Sequence, residues 1–332
     1  MKITVFSTKP YDIRFFEEVN QQFGHDLRFL KVHLDETTAG LVTDSEVVCL
    51  FVNDNANAAV IGQLAGRGVK LLALRCAGFN NVDLAACREH GIRVVRVPAY
   101  SPYSVAEHTI ALILTLNRKT HRAYNRVKEG NFSLDGLMGF DLHGKTVGLL
   151  GLGKIGKVTG QILKGFGCRV LAYDPFHDEE AVRLGLEYVS RDELLAQSDI
   201  ISLHCPLTPE TYHVINETTM RQMKPGVMII NTGRGALIDT PALIEALKAE
   251  HIGYVGLDVY EEEADLFFED LSAQIIKDDA FMRLLTFPNV LITGHQAFFT
   301  RNALQAIAQT TFENIRDFAD GADLKNEVKA GL

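Results

Sequence analysis

Apolar residues fall along this chain in short, β-branched runs separated by stretches with helical spacing, and the alternation persists almost from end to end. Runs at Ile3–Phe6, Val47–Val52, Leu71–Leu74 and Val94–Val97 read as strands of a first unit. A second series at Thr146–Leu150, Arg169–Tyr173, Ile200–His204, Val227–Asn231, Val255–Asp258 and Val290–Thr293 reads as six strands, with helix-length spacers between most of them. Near-continuous apolar strands joined by helices are what a parallel sheet covered on both faces requires. The pattern therefore predicts an α/β protein of two parallel-sheet domains, Rossmann-like or flavodoxin-like, with a cleft between them. Six strands is also the count of a full dinucleotide-binding sheet.

Between the two series, Ser104-Val-Ala-Glu107 has the form of a capping box. It predicts a helix that opens there and runs through the apolar stretch Ile110–Leu116 to about Lys128. A helix apolar on most of its circumference must be buried, here as an interdomain or subunit-packing element. The 39 residues after Thr293 are patterned as a helix over Asn302–Phe318 and are too few for a third domain. They are expected to return to the first unit. That makes a discontinuous substrate domain of residues 1–99 plus 297–332, with a cofactor domain, residues 100–296, inserted in it.

At 332 residues, 47% hydrophobic and 23% charged, the chain has the size and composition of two ordinary globular domains. A net charge of −9 argues against a general nucleic-acid or anionic-membrane surface, either of which needs a basic field. The run Ile3–Phe6 is too short for the apolar part of a signal segment, and Ile110–Leu116 is far short of a membrane span, so a cytoplasmic location is expected. Cys49, Cys76, Cys87, Cys168 and Cys205 form no C-x-x-C pair and have no histidine at ligand spacing. They read as small buried hydrophobes, and no metal is expected.

The strand Thr146–Leu150 runs directly into Gly151-Leu-Gly153-Lys154-Ile155-Gly156, with helical spacing beyond. A lone G-x-G-x-x-G is weak, but at a strand-to-helix turn it marks a dinucleotide site. Gly151 allows the tight turn, Gly153 lets backbone approach a pyrophosphate, and Gly156 lets the helix pack close to the strand. The helix N-terminus, with Lys154 and Ile155 in its first turn, then offers oriented N–H groups to the phosphates. The next strand ends in Asp174, 18 residues beyond Gly156. A carboxylate there accepts the ribose hydroxyls and repels a 2′-phosphate, which predicts NAD as the cofactor. Pro175 stiffens the following turn, and no arginine follows closely to favour NADP.

Three later segments resemble the D-isomer-specific 2-hydroxyacid dehydrogenase family: Asn231-Thr232-Gly233-Arg234-Gly235, Gly256-Leu-Asp258-Val-Tyr-Glu-Glu-Glu263 and Thr293-Gly-His295-Gln-Ala-Phe298. With Gly151–Gly156 they span most of the chain in the family's order. Pro98-Ala-Tyr100-Ser-Pro and the Phe298-Phe299 pair are most similar to the bacterial lactate-forming members. The resemblance implies reversible reduction of a small 2-keto acid by NADH, with pyruvate and D-lactate as the expected pair. Such chemistry needs a cation for the carboxylate and a proton donor for the carbonyl oxygen. Arg234, just past a strand, supplies a planar fork of donors that lysine cannot copy. His295, just past the last strand, supplies an imidazole able to give or take a proton near neutrality. Glu263, five residues after Asp258, is implied to sit against that ring and fix its tautomer.

The same resemblance implies cofactor contacts at Cys205, Pro206, Thr211, Thr232, Gly233 and, on the nicotinamide side, Asp258. Thr211 departs from the family pattern, because the lactate-forming members usually carry Asn there. Substrate contacts are implied at Ala77, Gly78, Tyr100 and Phe298, beside Arg234 and His295. Glu261 and Glu262 read as solvated or helix-starting acids. Another small D-2-hydroxy acid would use the same Arg, Glu and His, and a NAD-sensing binding protein of the corepressor type would keep the same sheet. The expected partners are a small-molecule substrate and further copies of the chain, as a dimer or tetramer.

Overall fold

The computed structural model describes residues 1–263 and 266–329. The chain divides into two compact units, Met1–Ser101 with Phe299–Leu332 and Pro102–Phe298.

The first unit holds five parallel strands: β1 (Lys2–Val5), β2 (Asp26–Phe29), β3 (Val47–Leu50), β4 (Leu71–Leu74) and β5 (Arg93–Arg96). Their order, β2-β1-β3-β4-β5, is the flavodoxin-like one. Strands β3 and β4 are buried at every position, as continuous apolar runs require when helices cover both faces. Val60, Ile61 and Leu64 of the helix Ala58–Ala65 share a core with Val48, Leu50, Leu72 and Leu74. The helix Arg301–Ala319 packs on β4, β5 and the helix Pro10–Asn20, with Phe312 edge-on to Phe16 at 5.1 Å. The residues after 300 thus belong to this unit.

The second unit is built on seven parallel strands: β6 (Thr146–Leu150), β7 (Arg169–Tyr173), β8 (Glu187–Tyr188), β9 (Ile200–Leu203), β10 (Val227–Asn231), β11 (Ile252–Leu257) and β12 (Val290–Ile292). Their order is β12-β11-β10-β9-β6-β7-β8. The chain moves outward from β6 to β8 and then returns to β9, so the order reverses between β6 and β9. In open parallel sheets a ligand binds at such a reversal, outside the carboxyl ends of the strands.

The helix Pro102–Arg118 packs on β10, β11, β12 and the helix Lys154–Gly165. Its Leu112 and Leu116 reach the sheet because Gly256 has no side chain. A Cβ on that glycine would lie 3.1 Å from Leu116 and 3.4 Å from Leu112. Each such leucine, withdrawn from water, contributes about 1.5–3 kcal/mol.

Several elements differ from the sequence pattern. β2 and β8 were not expected. Both are edge strands, and β2 alternates exposed Asp26 and Arg28 with half-buried Leu27 and Phe29, so neither makes a continuous apolar run. The helix expected to open at Ser104 begins at Pro102, because proline presets the backbone angle of a first helical turn. Ser104 is therefore buried inside the helix. The same helix does not continue to Lys128. Lys119 adopts a left-handed φ of 50°, and a separate helix, Thr120–Lys128, follows.

Candidate active site

Every strand of the seven-stranded sheet except β8 ends in a loop carrying residues expected to be functional. After β6, Gly151 has a φ of 99°, and a Cβ there would lie 2.5 Å from the backbone nitrogen of Cys205. The turn and the loop after β9 are thereby in backbone contact. A Cβ on Gly156 would lie 2.2 Å from the Gly151 carbonyl oxygen, so the helix can approach its strand only with glycine there.

Gly153 is different. It caps the helix Lys154–Gly165 in extended conformation without a side-chain bond to the first turn, and a Cβ on it would meet no atom within 4 Å. Nothing inside the protein demands glycine at 153, and the first-turn N–H groups of Lys154 and half-buried Ile155 are left to an external partner. A pyrophosphate lying close to the backbone fits this cradle. Asp174, half-buried at the end of β7, accepts the N–H of Leu152 at 2.7 Å and that of Phe176 at 2.9 Å. Each oxygen keeps further lone-pair capacity for ribose hydroxyls.

Beyond β9, His204 bonds Ser202 Oγ through Nε2 at 2.9 Å, and burial pushes its pKa down to about 4. The half-buried Cys205 thiol is raised to about 11, chiefly by burial, and is not a poised nucleophile. The hydroxyl of Thr211 donates to the carbonyl of Pro206 at 2.6 Å and accepts the Thr208 N–H at 2.8 Å. It closes its own loop, and its single hydrogen is committed there.

Asn231, the last residue of β10, is fully buried and does what the sequence reading did not assign it. Its amide nitrogen donates to the Arg234 carbonyl at 2.8 Å while its oxygen accepts the Gly233 N–H at 3.0 Å. One side chain thus sets the whole turn Thr232–Arg234. Thr232 adds a hydroxyl bond of 2.9 Å to Thr109. Arg234 is half-buried, donates one N–H to the Gly233 carbonyl at 2.8 Å, and faces no carboxylate partner among the described residues. At Gly235 a Cβ would lie 2.1 Å from the carbonyl of Tyr260, so this loop rests on the backbone of the loop after β11.

In that loop, Glu263 accepts the N–H of Tyr260 through Oε2 at 2.9 Å and meets His295 Nδ1 through Oε1 at 2.7 Å. His295 holds a left-handed φ of 50°, fixed by its N–H to the carbonyls of Asp258 at 2.7 Å and Thr293 at 3.0 Å. Its ring lies 6.4 Å from Phe298, nearly perpendicular, and 5.5 Å from Phe268. Its Nε2 makes no hydrogen bond among the described residues. With the carboxylate on Nδ1, Nδ1 carries the hydrogen of the neutral ring and Nε2 is the atom left to exchange a proton.

Asp258 was expected on the nicotinamide side of the cofactor, but its side chain is buried within the protein. Oδ1 accepts Thr293 Oγ1 at 2.5 Å and the Gln296 N–H at 2.9 Å, and Oδ2 accepts the Ala297 N–H at 2.8 Å. It holds the loop that carries His295. Glu261, expected to be solvated, is instead largely buried and bonded to His213 Nε2 at 2.5 Å, while Glu262 is exposed.

Ala77 and Gly78, after β4, and half-buried Tyr100, after β5, belong to the first unit. There Arg96 donates to the Ala77 carbonyl at 2.8 Å. Among the described residues no cluster of three or more His, Cys, Asp or Glu side chains has the geometry of a metal site, and no helix is long and apolar enough to cross a membrane.

Residues 110–297 match the family model of the D-isomer specific 2-hydroxyacid dehydrogenase NAD binding domain. The chain is similar to the D-lactate dehydrogenase of Escherichia coli, at 55% identity over 99% of this chain and 100% of that one. Among solved structures it resembles the pyruvate reductase of Chlamydomonas reinhardtii, with a TM-score of 0.93 and 49% identity over 98% of both chains. It also resembles the D-lactate dehydrogenase of Lactobacillus jensenii solved with NAD+, with a TM-score of 0.84 and 33% identity over 99% of this chain and 100% of that one.

Proposed function

Since the chain belongs to the D-isomer-specific 2-hydroxyacid dehydrogenase family, we propose that it catalyses the reversible reduction of pyruvate to D-lactate with NADH. The observation that carries the reading is the pair of Glu263 and His295, 2.7 Å apart, with Nε2 of the ring left over. NADH, when bound, supplies the hydride to the carbonyl carbon of the keto acid. His295 Nε2 gives its proton to the carbonyl oxygen as that oxygen takes up charge, and recovers it in the oxidative direction. Glu263, itself held by the Tyr260 N–H, keeps the imidazole oriented and stabilises the charge of the protonated ring. Arg234 presents its fork to the substrate carboxylate, in a position set by Asn231. Phe298, packed edge-on to His295, bounds the side-chain end of the substrate.

Gly151, Gly153, Lys154, Ile155 and Gly156 hold the pyrophosphate, and Asp174 the ribose. Cys205, Pro206, Thr232 and Gly233 line the cofactor through their backbones. A homo-oligomer is part of the same proposal. The helix Thr120–Lys128 buries none of its residues, and Tyr124, Val127, Phe132, Leu134 and Met138 stand exposed on it and just beyond it. A cytoplasmic setting follows from a diffusible cofactor and substrate. Incubation of the protein with pyruvate and NADH, followed by chiral chromatography, tests the central assignment. D-lactate is the expected product; L-lactate would overturn the stereochemistry, and no lactate the substrate.

A further inference from the structure

His108 stands on the helix Pro102–Arg118, far in sequence from the Thr293–Phe298 loop. Its Nε2 lies 3.0 Å from Thr293 Oγ1 and 3.3 Å from Asp258 Oδ1. Thr293 has one hydroxyl hydrogen, and the 2.5 Å bond to the Asp258 carboxylate consumes it, because an ionised carboxylate can only accept. The bond between Thr293 and His108 therefore runs the other way, with His108 Nε2–H as donor and Thr293 Oγ1 as acceptor. That direction fixes the hydrogen of His108 on Nε2. A chain of donors results, from His108 to Thr293 to Asp258, ending in the carboxylate that also gathers the N–H groups of Gln296 and Ala297. His295 sits inside the loop so gathered, in a left-handed conformation that a non-glycine residue keeps only when its surroundings hold it.

We propose that His108 is a positioning residue for the reaction: its Nε2–H completes the Thr293–Asp258 clamp that holds His295 Nε2 in line with the substrate oxygen. The proposal rests on the reading of His295 as proton donor. Without the His108 N–H, the half-buried Thr293 hydroxyl that is bonded to the buried Asp258 carboxylate loses its donor, and the 293–297 loop is free to relax. A shift of an ångström in the acid is enough to slow a proton transfer steeply.

The experiment compares H108L, H108Q, T293V and the H108L/T293V double variant in steady-state pyruvate reduction, with H295A as reference and NADH affinity measured by fluorescence titration. Glutamine can present its amide nitrogen near the position of Nε2. The expected result for H108L is a kcat lowered roughly tenfold to a hundredfold, with NADH affinity and the KM for pyruvate within about twofold of the wild type. H108Q should recover most of the loss. The double variant should be no slower than the slower single one, since both substitutions cut the same chain. Near-normal kcat in H108L beside an inactive H295A overturns the inference alone. Losses that multiply in the double variant, or a glutamine as slow as the leucine, overturn it as well. Full activity in H295A overturns the reading of the site, and the inference with it. If H108L fails to fold, H108Q and T293V still decide the matter: a normal kcat in T293V excludes the clamp.

Discussion

The glycine-rich turn allows a test that separates what the fold needs from what the cofactor needs. At Gly156 an added Cβ would lie 2.2 Å from a carbonyl oxygen of the same turn, and backbone cannot swing aside as a side chain can. Gly156→Ala should therefore cost about 3 kcal/mol or more, or roughly 6–12 °C of melting temperature in a unit of this size. At Gly153 the new methyl meets nothing within 4 Å, and the backbone angles, φ −60° and ψ −174°, suit alanine. The weaker N-cap costs about 0.5–1 kcal/mol, offset by about 0.4–1 kcal/mol from the stiffer unfolded chain, so the ligand-free protein should melt within a few degrees of the wild type. With NADH the result reverses. A methyl wedged between backbone and pyrophosphate costs about 1–3 kcal/mol, which weakens NADH binding roughly fivefold to a hundredfold or more. Thermal unfolding of the ligand-free variants and fluorescence titration with NADH read the two effects separately. Wild-type NADH affinity in Gly153→Ala would refute the placement of the pyrophosphate.

Three further outcomes are expected. The wild type should prefer NADH to NADPH by at least about tenfold in kcat/KM, and Asp174→Ser should narrow that ratio; equal use of both cofactors by the wild type removes Asp174 from the selection. Glu263→Gln should lower kcat for pyruvate reduction by about 10² while leaving NADH binding intact, because an amide beside Nδ1 cannot stabilise the charged ring; an unchanged kcat makes Glu263 a bystander. His204 is neutral in the folded protein with a pKa of about 4, against 6.5 for the ordinary imidazole. The unfolded chain therefore binds the extra proton between those values, and the stability His204 confers is complete above pH 6.5 and is lost as the pH falls toward 4. Denaturation midpoints across that range should fall less steeply in His204→Gln; an identical slope excludes the effect.

The strands and the chemistry were legible in the sequence to different depths. Runs such as Val227–Asn231 and Thr146–Leu150 are buried at nearly every position, and a continuous apolar run is the strongest signal a parallel sheet leaves. β2 and β8 escaped because an edge strand keeps one side in water and so carries Asp26, Arg28 and Glu187. The break at Lys119 left no trace either, since neither glycine nor proline marks it. Motif residues with chemistry of their own, Arg234, Glu263 and His295, could be named because the segments that carry them resemble a known family. Those acting through hydrogen bonds could not. Asn231, Thr293 and His108 are ordinary polar residues until the fold shows what each side chain closes. The one hint for Asn231 was an amide ending an otherwise apolar run, two residues before the glycine of a functional turn.

The backbone contact at Gly235 bears on how such a protein can change. The loop that ends in Arg234 rests on Tyr260 with no room for a single added carbon, and the N–H of that same Tyr260 orients Glu263. On the roles proposed for Arg234 and Glu263, carboxylate recognition and proton delivery are therefore not separable traits. A substitution that moves the arginine to admit a different acid also displaces the partner of the histidine, so the two loops are constrained to diverge together. Exchange of residues 232–235 alone for those of a relative with another substrate preference should silence the enzyme, and exchange of 259–263 with them should restore turnover.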